Sequence, residues 1–295
     1  MIGIFDSGVG GLTVYERLRQ CYPDLDFVYL ADHASGPYGL KSDPELYALT
    51  RQNVDLLFRK GCDLIILACN TVSVGALEML RKDWLSTAWP GRSLIGVAQP
   101  TVDYVRRLQG DADKQRVVAV FATEFTVQSR YFSTKLNALA GGCLVAEVPC
   151  TRLASLIESG ATGARLGREV DRYIAAMERQ LRGKAPDVVL LACTHYVWVE
   201  RLFVERLSPG CLVVSQPTLM LREFDKFARF STARRSRADR YHRLFTTGDA
   251  GAVSLVASTL YRKPRTFSAV GDLVGKAPGQ GAHLAVWTAF FEHRQ

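Results

Sequence analysis

Short apolar runs separated by amphipathic stretches set the rhythm of this chain. Ile2–Phe5 is one such run, followed by the turn DSGVGG and an amphipathic stretch through Leu18, which reads as strand, glycine-rich turn and helix. Phe27–Leu30 predicts a second strand, and residues 31–39, ADHASGPYG, a polar loop carrying Asp32, His33 and Tyr38. Asp43 as a cap, Pro44 in the first turn and Gly61 beyond the end predict a helix over 44–60. The strand DLIILACN at 63–70, a helix over 73–84 and a strand at Leu94–Val97 complete a first lobe.

After Pro100 the pattern restarts. A helix over 101–109 and the charged turn DADKQR lead into Val117–Phe121, whose continuation ATEFTVQSRYF repeats the strand-then-polar-turn logic of FDSGVGG. A strand near Leu144–Val148 follows, then a helix with Leu166, Val170, Ile174, Met177 and Leu181 on one face, ending at Gly183. Val188–Ala192 is the next apolar run, and Leu212–Val214, a basic stretch, TTGD at 246–249 and a helix to Tyr261 are read as a return to the first lobe. Strands alternating with helices predict an α/β protein with mainly parallel sheets, the second lobe mirroring the first. From Gly271 the Gly and Pro density predicts a flexible connector through Gly281, and LAVWTAFF beyond it is too short to span a membrane.

The duplication is sharpest at two cysteines. Residues 63–70 read DLIILACN and residues 187–194 read DVVLLACT, so Asp, four apolar residues, Ala, Cys and a small polar residue recur in order. A strand buried on both faces of an α/β sheet is nearly continuous in Val, Ile and Leu, and ligands bind beyond its carboxyl end, where Cys69 and Cys193 fall. A single strand-end cysteine is usually a small core hydrophobe. Here polar residues follow each one, Asn70 and Thr71 in one copy and Thr194 and His195 in the other. Two facing thiols suit a reaction in which a proton leaves one face of a carbon and arrives on the other, with one sulfur as thiolate and its partner as thiol. His195, two residues after Cys193, is placed to help. Glycines 8, 10 and 11 before a helix resemble an anion cradle, with neither GxGxxG nor GK[ST] spacing.

Composition adds limits. With 48% hydrophobic and 22% charged residues the chain suits one large or two medium domains, and its start and apolar runs match neither a signal peptide nor a membrane span, so a cytoplasmic protein is expected. Seven cysteines without close CxxC pairs or zinc spacings predict reduced thiols and no metal. The net charge of +8 is concentrated between Arg222 and Arg243, where eight Lys or Arg face three acids. A solvated basic helix face is the reading preferred there, with a nucleic-acid partner as the competing one.

The motifs FDSGVGGLTV, ADHxxxPYG, ILACNT, LLACTHY and TTGD, in this order over residues 2 to about 265, resemble the glutamate racemases of the cofactor-independent aspartate/glutamate racemase family. The resemblance implies two pseudo-symmetric α/β domains, here 1–98 plus 210–270 and 99–209, with the site in the cleft between them and 271–295 as a tail. It implies no cofactor and supply of D-glutamate for peptidoglycan; a small acidic amino acid as substrate, a homodimer and no membrane partner are further expectations for this chain. Aspartate racemisation, or a regulatory protein of the same fold acting on a nucleic-acid enzyme or DNA, are the alternatives. By motif it carries the base roles to Cys69 and Cys193, and assisting roles to Asp6, His195 and, in LIESG, Glu158. It places Ser7, Pro37, Tyr38, Gly39, Asn70, Thr71, Thr123, Thr126 and Thr194 around the substrate. Two departures stand out, Val197 where the family has Pro after CTHY, and VVSQPT at 213–218 without the usual acid.

Overall fold

The structure, a computed structural model, describes residues 1–109, 115–228 and 241–274. Among the described residues ten strands form two wholly parallel sheets. The first contains β1 (Ile2–Asp6), β2 (Phe27–Ala31), β3 (Leu64–Leu67), β4 (Ser93–Gly96), β9 (His242–Thr246) and β10 (Ser268–Ala269), in the order β10-β9-β2-β1-β3-β4. The second contains β5 (Arg116–Ala122), β6 (Cys143–Pro149), β7 (Val188–Ala192) and β8 (Leu212–Val214), in the order β6-β5-β7-β8. The run β2-β1-β3-β4 is therefore repeated as β6-β5-β7-β8, and the mirrored lobes expected from the pattern are present as matching strand orders.

Each sheet is covered on both faces, which is why its strands carry no polar alternation. Phe5, Val28, Leu30, Ile65 and Leu67 fill one face of the first sheet, while Ile2, Ile4, Phe27, Tyr29 and Ile66 fill the other. The second sheet divides likewise, with Phe121, Val189 and Leu191 on one side and Val118, Val120 and Leu190 on the other. Helix Gln216–Ala228 joins the lobes, because Leu219 enters the second sheet's core while Met220 and Phe224 enter the first's.

Several boundaries differ from the sequence expectation. β8 lies within 210–270 yet pairs with β7 of the second sheet, so the chain returns to the first lobe only after Val214. A three-residue apolar run carries no periodicity that names its partner. The helix expected over 73–84 starts at Asn70 directly after Cys69, runs to Gly75, and continues as Leu77–Leu80 and a wider π turn at Arg81–Leu85. Ser42, and not Asp43, caps helix Asp43–Arg59, since Ser42 and Glu45 form a reciprocal capping box. Pro100 lies inside the first turn of helix Ala98–Gln109, where the missing N–H has no partner to lose. Gly271 begins no connector at once; Val270–Val274 is helical and Leu273 is buried in the first core. The DADKQR turn up to residue 114, most of the basic cluster including Arg234, Arg235 and Arg237, and LAVWTAFF lie outside the described residues.

Candidate active site

In each sheet one strand sits where successive connections leave in opposite directions, and the crevice opened beside it is where ligands bind in parallel sheets. β1 and β3 flank that crevice in the first lobe, and β5 and β7 flank it in the second. Register then places the ends of the strands. Phe5 pairs with Leu67, so the chain emerging as Asp6-Ser7 runs beside Ala68-Cys69. Ala122 pairs with Ala192, so Thr123 emerges beside Cys193. The equivalence of the two cysteines is thus built into the topology.

Around Cys69 the contacts are uncharged hydroxyl and buried carboxyl. The Ser7 Oγ and Cys69 Sγ are 3.5 Å apart. Asp6 is fully buried, accepts from the Gly8 N–H at 2.9 Å, and accepts from the Thr194 hydroxyl of the second lobe at 3.2 Å. Burial pushes the Asp6 carboxyl up to about 6. Burial, reinforced by the Asp6 carboxylate, pushes the Cys69 thiol up to about 12, against the opposing pull of Ser7 and the Val72 N–H.

Around Cys193 the contact is a histidine. His195 Nδ1 lies 3.7 Å from Cys193 Sγ, and its Nε2 lies 2.7 Å from Glu158 Oε1. Burial opposes protonation of His195, yet Cys193 and Glu158 together outweigh it and hold its pKa well above the ordinary range. Burial likewise opposes ionisation of Glu158, but His195 and His33 overcome it and hold that carboxyl well below the usual range. Both shifts favour the charged forms, an imidazolium beside a carboxylate.

Glycines let these groups meet. A Cβ on Gly8 would stand 2.9 Å from Glu158 Oε1, and one on Gly10 would collide with Thr194 Oγ1 and His195 Nδ1 of the second lobe. One on Gly11 would stand 2.7 Å from the Asp6 Cβ. The loop read as an open anion cradle is instead a seat for the second lobe.

The other expected residues divide into groups. Thr71 and Thr123 face each other between the lobes with hydroxyls 3.0 Å apart, and the Thr123 hydroxyl reaches Thr126 at 3.0 Å. Gly39 packs against Thr123, where a Cβ would stand 3.0 Å away. Asn70 turns its amide to Gln216 in a reciprocal pair, both hydrogen bonds at 2.6 Å, and Gln216 also donates to Thr101 at 3.2 Å. Tyr38 points into the core with its hydroxyl on Asp32 at 2.5 Å, and Pro37 is exposed.

Three residues outside the expected set belong here. Asp32 accepts from Tyr38, from Asn53 at 3.1 Å and from Thr247 at 2.5 Å, fastening loop 33–40 to β9. Gln216 locks Asn70, and its place in VVSQPT, the segment departing from the family pattern, was the available signal. His33 Nε2 lies 3.6 Å from Glu158 Oε2, which only the folded arrangement reveals.

Comparisons with known proteins agree with this geometry. The profile of the Asp/Glu/Hydantoin racemase family matches residues 2–213. A glutamate racemase from Phenylobacterium zucineum is 36% identical, with 90% of this chain and 98% of that protein covered. The solved structure of a glutamate racemase from Aquifex pyrophilus superposes with a TM-score of 0.71 at 28% identity, covering 92% of this chain and 98% of that one. A glutamate racemase from Francisella tularensis, solved in complex with D-glutamate, shares the fold with a TM-score of 0.77 at 23% identity, covering 91% and 96%. On the matched profile and these relatives, the chain belongs to the Asp/Glu/Hydantoin racemase family.

Proposed function

We propose that this protein is a glutamate racemase working by proton transfer between two thiols, and that its product D-glutamate feeds peptidoglycan synthesis. The observation that carries the reading is the pair of strand-end cysteines at equivalent crevices of mirrored sheets, bridged by the hydrogen bond between Thr194 and Asp6. In the L-to-D direction the Cys193 thiolate takes the Cα proton and becomes a thiol. The Cys69 thiol delivers its proton to the opposite face and becomes a thiolate. One proton leaves the carbon and one arrives, so the substrate's net charge is the same before and after, while negative charge develops at Cα in passing. Burial keeps Cys69 protonated at neutral pH, the form this direction needs of it. The His195 cation supports negative charge on Cys193, and Glu158 holds the imidazole in place.

Glutamate is favoured over aspartate by the glutamate racemase relatives, which match over nine-tenths of the chain. Among the described residues no helix is long and apolar enough to cross a membrane. We place the enzyme in the cytoplasm, as a homodimer, without a cofactor. Circular dichroism of L-glutamate incubated with purified enzyme tests the activity. The optical signal should decay to zero, and aspartate should decay more slowly. A constant signal with both amino acids would remove the proposal.

A further inference from the structure

The two oxygens of Glu158 are divided between two histidines from different lobes. Oε1 takes His195 Nε2 at 2.7 Å, and Oε2 faces His33 Nε2 at 3.6 Å. His33 belongs to the first lobe, on the loop after β2, whereas Glu158, His195 and Cys193 belong to the second. Its loop is fastened. Thr247 donates to Asp32, Ala34 N–H donates to Thr247 at 3.2 Å, and Gly248 lies so close that a Cβ there would stand 3.2 Å from the His33 Cβ. The imidazole is also the wetter end of the chain, its side chain 35% exposed against 8% for His195.

We infer that His33 is a positioning residue of the reaction, which holds the free oxygen of Glu158 from across the cleft and so keeps the other oxygen on His195 and His195 on Cys193. The inference rests on the two-thiol reading. A carboxylate gripped at one oxygen can rotate about its terminal torsion, which is soft. Gripped at both, it fixes the imidazole facing Cys193, and fixing the orientation of a ligating or proton-handling histidine is the general use of such outer partners. The Glu158 carboxylate 3.6 Å away raises the His33 pKa, which favours the charged form that grips the carboxylate. Because the partners sit on opposite lobes, the grip is complete only when the lobes are together. Cys69 has no part in this chain of contacts, so the effect of His33 is confined to the face of the substrate that Cys193 serves.

The test uses 3-chloroglutamate, which loses chloride once its Cα proton is removed and then hydrolyses to 2-oxoglutarate and ammonia. Elimination is irreversible, so each face is read separately. His33→Ala should slow elimination from the L-analogue by about tenfold, within the range typical of outer-partner losses, and from the D-analogue by less than about twofold. His33→Lys, which restores a cation toward Glu158, should recover most of the L-face rate, and His33→Gln should fall between them. Unchanged rates on both faces with His33→Ala, or equal losses on both without recovery by His33→Lys, would overturn the inference while leaving racemisation by the unaltered enzyme intact. An unaltered enzyme that neither racemises glutamate nor eliminates from either analogue would remove the two-thiol reading, and this inference with it.

Discussion

Cys69 and Cys193 end two strands of nearly the same sequence, DLIILA and DVVLLA, and each stands directly before a helical turn. Their surroundings are opposite. Cys69 meets a hydroxyl and a buried carboxyl, with its thiol pushed up to about 12, while Cys193 meets an imidazolium backed by a carboxylate. Duplication supplied the geometry, two sulfurs at equivalent sheet edges. The residues that differ between the copies supplied the unequal surroundings. Ser7 and Asp6 reach Cys69 from the neighbouring strand, whereas His195 reaches Cys193 from its own turn. On the proposed mechanism such unequal surroundings suit unequal tasks, with the buried Cys69 thiol as the group that delivers a proton in the L-to-D direction.

The comparison breaks most completely if either sulfur is removed. Cys69→Ser and Cys193→Ser should each lower racemisation by about 10³-fold or more, since a serine hydroxyl is a far weaker base, and initial rates from both enantiomers by circular dichroism check this. Either variant turning over at the native rate would end the two-thiol account.

A smaller effect separates the halves. His195→Asn removes the cation from the Cys193 side and should slow proton transfer there by about 10²-fold. The enantiomers have equal free energy, so kcat/KM must fall equally in both directions. The asymmetry appears in isotope effects: that of Cα-deuterated L-glutamate should grow and that of D-glutamate should shrink. Equal isotope effects for the two would mark His195 as structural.

The smallest effect concerns Asp6, on the Cys69 side. Its carboxyl is raised from 3.8 to about 6 by burial, so it binds its proton more tightly folded than unfolded. Its contribution therefore favours folding below about pH 4 and is lost as pH rises through about 6, a swing of at most about 3 kcal/mol. Asp6→Asn has no such swing. Urea denaturation should show the variant gaining on the native protein between pH 4 and pH 7, and a constant difference would contradict the raised carboxyl.

Much of this was legible in the sequence, for identifiable reasons. Buried parallel strands advertise themselves as unbroken apolar runs, so β1, β3, β5 and β7 and the duplicated cysteines stood out. Helix edges were less legible. Cysteine is a poor advertisement for a helix cap, yet Cys69 caps helix Asn70–Gly75. Gly75, the last residue of that helix, sits where a Cβ would collide with Leu46 of its own lobe and Phe125 of the other, a tertiary fit that no local pattern records. What the sequence could not display is contact between segments far apart along the chain. The grip of His33 on Glu158 joins residues 125 positions apart, and the Asn70–Gln216 amide pair joins residues 146 apart, with no local pattern recording either. The glycine loop shows the same limit. Glycines that make room for a ligand and glycines that make room for a second lobe look alike until the lobe is in place.

The most direct test of unequal halves assigns each sulfur to one face. Elimination from L- and D-3-chloroglutamate, followed as 2-oxoglutarate, should survive in reciprocal fashion: Cys69→Ser should process only the L-analogue, and Cys193→Ser only the D-analogue. If both variants process the same enantiomer, or if either processes both, the assignment of one sulfur to each face is contradicted.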